Sequence, residues 1–300
     1  MDFTLKTNED FVVREVISEK FARKFSRTSK GVSRIDGPFS VYLMKKSGEN
    51  TKDAILKIND RTGKDVGYAG LKDKNAVTYQ YITIKDADFE DMDMGNIALS
   101  FVSKSQNAIT IGDLKGNNFE ITLHDFGDHA RMEDAIKHAS SKGFPNLFGK
   151  QRFGRNMDNY LIGRHIVKGN MKKAMEMMDA QEMKPSKDMT KFFIHSYQSW
   201  IFNSALIKCI EKSQIPDQLP IVGYGSKIDS DIVKNILEKE CISPKDFMIN
   251  ELSICCRGGM RDTFVKTKIE HYFRNSSVTL KFFLPKGCYA TQLLEEIRKF

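Results

Sequence analysis

Asp73 is the residue whose type and setting could do chemistry. It stands between Lys72 and Lys74 in the stretch 67–81, GYAGLKDKNAVTYQY. A carboxylate presented at a bend can act as a nucleophile or as a general base. The same Asp, flanked by Lys and Asn after two glycines, also suits a turn in which it bonds its own backbone, and local composition favours the turn. If 72–74 is extended, both lysines project to the face opposite Asp73, so the cation for that carboxylate must come from elsewhere in the chain. Other chemistries lack their residues. The five cysteines (Cys209, Cys241, Cys255, Cys256, Cys288) form no C-x-x-C pair, the six histidines form no H-E-x-x-H, and no Walker A loop or G-x-G-x-x-G occurs. These gaps set aside a structural zinc site, a disulfide framework, a metalloprotease and a zinc deaminase.

The elements that must position Asp73 read from periodicity. Residues 11–17 (FVVREVI) alternate as a strand, with 39–46 (FSVYLMKK) as the expected companion after Gly37-Pro38. Residues 51–60 have the spacing of a short amphipathic helix. Strand character continues at 76–84, 97–103, 108–113 and 116–124, the last being GNNFEITLH. Asp128 then opens a helix over 130–141 that Gly143 ends. From Arg155 helices dominate, at 158–167, 171–183, 189–212 and 231–239. The strand 277–284 and a helix over 291–300 close the chain. Met171, Met175, Met177 and Met178 suit core filling better than a metal. Strand-rich ends around a helical middle describe an α+β chain with an inserted domain.

A chain of 300 residues, 40% hydrophobic and 29% charged, can build two domains. The formal net charge of +8 favours a polyanionic partner. Between Lys20 and Arg34 lie Arg23, Lys24, Arg27 and Lys30 with no acidic residue among them, a run suited equally to a solvated loop and to phosphate contact. No apolar run approaches a membrane span and the N-terminus lacks a signal-peptide pattern, so a cytosolic, membrane-free protein is expected.

The string AGLKDKNAVTYQ resembles the catalytic motif of the TruD family of tRNA pseudouridine synthases, approximately G-x-K-D-x-x-A-x-T-x-Q, on Gly70, Lys72, Asp73, Ala76, Thr78 and Gln80. Further stretches are similar to the same family in the same order: Glu9-Asp10-Phe11 through Glu15, Gly116-Asn117-Asn118-Phe119, residues 145–154 (PNLFGKQRFG), 196–203 (SYQSWIFN) and 284–291 (LPKGCYAT). The chain departs from the pattern at 37–40, GPFS, which has no His, and at Cys288, which replaces a Ser.

The resemblance implies an α+β pseudouridine synthase catalytic domain with a mixed, largely antiparallel sheet, formed by 1–155 and 269–300. An inserted, mainly helical TRUD domain would cover 156–268. It implies a uridine of tRNA, most typically position 13 in the D arm, as substrate, a reaction that requires no metal or organic cofactor, and a monomeric enzyme. Asp73 becomes the nucleophile, or the base if the reaction runs through a glycal, with Lys6 as its cationic partner. Phe11, Phe119 and Tyr289 become stacking groups for the flipped base, and Asn117 the group that reads the uracil edge. Glu15 could orient a cation or cap a loop, and Thr78 and Gln80 would brace the Asp73 loop. Lys150, Arg152 and Arg155, in a Gly- and aromatic-rich loop, are expected on RNA phosphates. An RNA-binding or RNA-folding protein of the same fold with little catalysis is the alternative. A metal-dependent nuclease lacks the clustered carboxylates it would need.

Overall fold

The computed structural model describes residues 1–23, 37–154 and 156–300; most of the basic run after Lys20, and Arg155, lie outside the described residues. The chain divides into two compact units, Met1–Lys142 with Thr267–Ala290 and Ile297–Phe300, and Gly143–Lys266 with Thr291–Glu296. The second unit begins at Gly143, ahead of 156, and the two-residue strand Phe144–Pro145 within it pairs with Phe264–Val265 near that unit's other end.

In the first unit the strands are β1 Phe11–Ile17, β2 Phe39–Ser47, β3 Val66–Tyr68, β4 Val77–Lys85, β5 Asp91–Asp93, β6 Ile97–Ser105 and β7 Leu114–His124. Six short strands of the second unit follow: β8 Phe144–Pro145, β9 Gln218–Ile221, β10 Met248–Ile249, β11 Ile254–Cys255, β12 Gly259–Asp262 and β13 Phe264–Val265. The chain then returns to the first unit with β14 Glu270–Arg274 and β15 Ser277–Pro285. The first unit's strands form one sheet in the order β14-β15-β7-β1-β4-β2-β6-β5, with β3 also on β4. It is mixed: β1 and β4 run parallel, and the other pairs are antiparallel. The fold is therefore the expected α+β type.

Three expectations are corrected. β2 is not the companion of β1, because β4 lies between them. Residues 108–113 are a turn and not a strand, with the Asp113 carboxylate accepting from both the N–H and the hydroxyl of Thr110. Strand character returns before 277, at β14.

Sequence parity decides what each sheet face carries. On β1, Phe11, Val13 and Glu15 share a face, and register carries that face to Ile121, Phe119 and Asn117 on β7. Through Thr78 and Gln80 on β4 it continues to Lys46 and Met44 on β2. The helix α2, Thr51–Thr62, is preceded by α1, Glu19–Ala22. α2 is capped by Asn50, which accepts from the Asp53 N–H, and ends at Gly63 with φ +66°. Its Ala54, Ile55 and Ile58 pack on Tyr42, Met44, Ile82, Ile84, Ile97 and Leu99. Gly67 on β3 has no room for a side chain, since a Cβ would lie 2.7 Å from the Ile109 carbonyl.

The remaining helices are α3 His129–Lys142, α4 Asn159–Val167, α5 Met171–Ala180, α6 Lys187–Glu211, α7 Asp231–Glu240 and α8 Ala290–Lys299. In the second unit α6 buries Phe193, Tyr197, Ile201 and Phe202 completely. Glu240, at the end of α7, accepts from Arg164 Nε at 2.6 Å, Tyr197 OH at 2.8 Å and Lys168 Nζ at 3.3 Å. Burial alone would raise its carboxyl pKa, but these bonds outweigh burial and hold it below the usual 4.5. A depressed carboxyl stabilises the fold above its unfolded value and loses that contribution as pH falls through the folded value. The melting temperature of the wild type is expected to fall on acidification below about pH 4, and that of Glu240→Gln to fall less. Calorimetry across pH checks this.

Candidate active site

Two rows of side chains cross the middle of the sheet's inner face. Register places Leu284, Asn117, Glu15, Gln80 and Met44 side by side on β15, β7, β1, β4 and β2. The neighbouring row is Phe282, Phe119, Val13, Thr78 and Lys46. Apolar positions lie to either side, so the polar groups concentrate where the Asp73 loop, between β3 and β4, comes down onto the sheet.

That loop is tied down at successive residues. The Gly70 carbonyl accepts from Gln80 Nε2 at 3.3 Å, and the Lys72 N–H donates to Thr51 Oγ1 at 2.8 Å. Thr51 in turn donates to Gln80 Oε1 at 3.2 Å. Lys72 is buried and its ammonium sits 2.7 Å from Glu15 Oε1, with the two side chains 4% and 0% exposed. The other Glu15 oxygen accepts the Tyr81 N–H at 2.9 Å. Glu15 therefore orients a cation, and that cation is Lys72, whose side chain turns into the sheet while Asp73 is exposed. The Asp73 carbonyl accepts from Lys46 Nζ at 2.8 Å. Gln80 braces the loop as expected. Thr78 does not, because its buried hydroxyl has no hydrogen-bond partner among the described residues.

Phe11 and Phe119, each 8% exposed, meet edge to face at 6.0 Å, and Phe119 stacks on Phe282 at 5.3 Å. These rings are an apolar floor on neighbouring strands, with Phe119 two strand spacings, about 10 Å, from the Thr78 position. Asn117 adjoins Glu15 in register. Its Oδ1 is buried and has no partner among the described residues. An orphan carbonyl of this kind costs about 1–3 kcal/mol and marks a place where a donor belongs. Gly116 is needed beside it, because a Cβ there would lie 2.3 Å from the Leu284 carbonyl. Tyr289 is half-buried at the N-cap of α8, just beyond the β15 end that flanks Asn117.

The structure does not set Lys6 in its expected role. The Thr4–His124 bridge and the Asp10 carboxylate, which accepts the N–H groups of Lys6 and Thr7, fold the N-terminal turn onto the end of β7. Lys6 Nζ then lies 3.1 Å from Asp125 Oδ1, with both side chains half exposed. A buried cation whose charge interacts with Asp73 is Lys46, which the sequence reading missed. Parity alone could not have found it: Lys46 falls in step with Ser40, Tyr42 and Met44, and Lys45 falls in step with the equally apolar Phe39, Val41 and Leu43.

In the second unit, Lys150 is exposed at the start of a single 3₁₀ turn. Arg152 leans on α6, donating from Nε to Ser199 Oγ at 3.2 Å, with its guanidinium 5.8 Å from the Phe148 ring centre. Arg155 lies outside the described residues.

The family model of tRNA pseudouridine synthase D (TruD) matches residues 3–190 and 207–297. A Thermococcus sibiricus protein named "Probable tRNA pseudouridine synthase D" is 28% identical over 97% of this chain and 93% of its own length. The tRNA pseudouridine synthase D of Sulfurimonas denitrificans is 28% identical over 100% of this chain and 96% of its own. A crystal structure of a Methanosarcina mazei protein shares the fold, with a TM-score of 0.68 at 21% identity over 98% of this chain and 93% of that one. With a family model covering most of its length, the chain belongs to the TruD family of tRNA pseudouridine synthases.

Proposed function

We propose that this protein isomerises a uridine of tRNA, position 13 in the D arm, to pseudouridine, with Asp73 as the essential nucleophile and no cofactor. The reading rests above all on how the Asp73 loop is mounted: the loop that presents this exposed carboxylate is held by four buried anchors on the sheet face that also carries Asn117, Phe11 and Phe119. In the reaction the bond from C1′ to N1 breaks, C1′ joins C5, the C5 proton leaves and N1 regains one, so atoms balance without an external reagent.

The target base must leave its stack, at a cost of a few kcal/mol, and aromatic contact worth about 1–3 kcal/mol offsets much of it. Phe11, Phe119 and Tyr289 supply that contact. Asn117 Oδ1 accepts the uracil N3–H and its amide donates to a uracil carbonyl, a pairing that cytosine fails. Lys150, Arg152 and Arg155 contact RNA phosphates. The polyanionic substrate agrees with the net charge of +8.

Mapping pseudouridines in tRNA incubated with and without the purified protein, in the presence of a chelator, tests the reading. A new pseudouridine at position 13 is expected, and an unchanged tRNA would overturn the proposal. Asn117→Ala is expected to lower kcat/KM by about 5- to 150-fold, equivalent to about 1–3 kcal/mol of lost hydrogen bonding. Its melting temperature should hold or rise, because the free protein leaves that carbonyl unsatisfied. Steady-state kinetics and a thermal melt check both halves.

A further inference from the structure

Lys46 is completely buried at the end of β2, with β4 on one side and β6 on the other. An ammonium in such a place costs several kcal/mol unless its donors and its charge are answered. Two of its three donors go to backbone carbonyls, Glu49 at 2.7 Å and Asp73 at 2.8 Å. Its register neighbour Thr78 takes none, since that hydroxyl has no hydrogen-bond partner among the described residues. One of these bonds thus runs from an inner strand of the sheet to the peptide of Asp73.

Charge points the same way. The buried cluster holds two ammonium groups, Lys72 and Lys46. Lys72 has Glu15. For Lys46 the favourable charges are those of Asp73 and Glu49, with Asp73 the larger, and Glu49 is already paired with Lys57. The exposed carboxylate of Asp73 is the counter-charge that a second buried lysine requires.

We propose that Lys46 is a positioning residue of this site, pinning the Asp73 peptide from inside the sheet so that its carboxylate is aimed at the nucleoside. This rests on the reading of Asp73 as the reacting carboxylate. Burial pushes the Lys46 ammonium down to about 8, with Lys72 pushing the same way and Asp73 and Glu49 pulling back. Above that pH the lysine loses its proton, the pin loses its charge, and the rate falls.

The experiment compares wild type, Lys46→Met and Lys46→Arg by single-turnover pseudouridine formation from pH 6 to 10, with tRNA binding and thermal melts alongside. The wild type should show an alkaline limb near pH 8. Lys46→Met should lose about 100-fold or more in rate, bind tRNA within about twofold of wild type, and show no limb. Lys46→Arg, which stays charged, should recover part of the rate without the limb. A Met variant within threefold of wild type, or one that keeps the limb, overturns the proposal. So does a variant that only melts earlier, since a merely structural lysine would leave the pH profile in place. Should Lys46→Met fail to fold, the limb in wild type against its absence in Lys46→Arg decides, and a limb common to both overturns it. If the wild type forms no pseudouridine, the functional reading fails and not this refinement alone.

Discussion

Glu15→Ala is expected to destabilise the first unit by about 3–5 kcal/mol, because it strips the partner from a buried lysine. Glu15 and Lys72 lie 2.7 Å apart with side chains 0% and 4% exposed. The variant also orphans the Tyr81 N–H, which Glu15 Oε2 accepts at 2.9 Å. A drop on the order of 10 °C in melting temperature should follow. Glu15→Met combined with Lys72→Met should be more stable than Glu15→Ala, since replacing a buried pair by apolar residues of similar volume removes both desolvation costs together. Circular dichroism melts of the three proteins read this directly, and a Glu15→Ala shift of only a degree or two would mean that the pair is solvated. The rate should fall as well, because the Glu15 pair anchors Lys72, the residue next to Asp73.

How much of this was legible in the sequence follows from the range of each interaction. β1 and β7 could be read because alternation and turn residues are local signals. Strand order could not, since nothing in FSVYLMKK says that β4 will lie between it and β1. The same strand hid Lys46. Its two faces both carry large apolar residues, Tyr42 and Met44 on one and Phe39, Val41 and Leu43 on the other, so the two terminal lysines look alike, and only the register Lys46–Thr78 sends one inward. Glu15 was recognised as a group that could orient a cation, but its partner, 57 residues away, needed the folded chain. Asp73, Asn117, Phe11 and Phe119 were singled out through motifs. Lys6 was placed by the same route, yet the N-terminal turn carries it to Asp125.

Asp73→Asn is expected to lower the isomerisation rate by at least about 10,000-fold, the scale on which removing a principal catalytic group acts. The substitution keeps shape and hydrogen-bonding length while removing the negative charge. It also leaves the backbone carbonyl that Lys46 holds at 2.8 Å, so the loop should stay seated. Binding should survive, within about twofold, since affinity for a folded RNA comes largely from phosphate contacts remote from one carboxylate. Loss of turnover with intact binding separates a chemical role from a structural one. Tritium release from tRNA labelled at uridine C5, followed in a single turnover with Asp73→Asn in excess over tRNA, is the measurement to make. The account predicts no release above background from a variant that binds tRNA as the wild type does. Release within about tenfold of the wild-type rate would remove Asp73 from the chemistry.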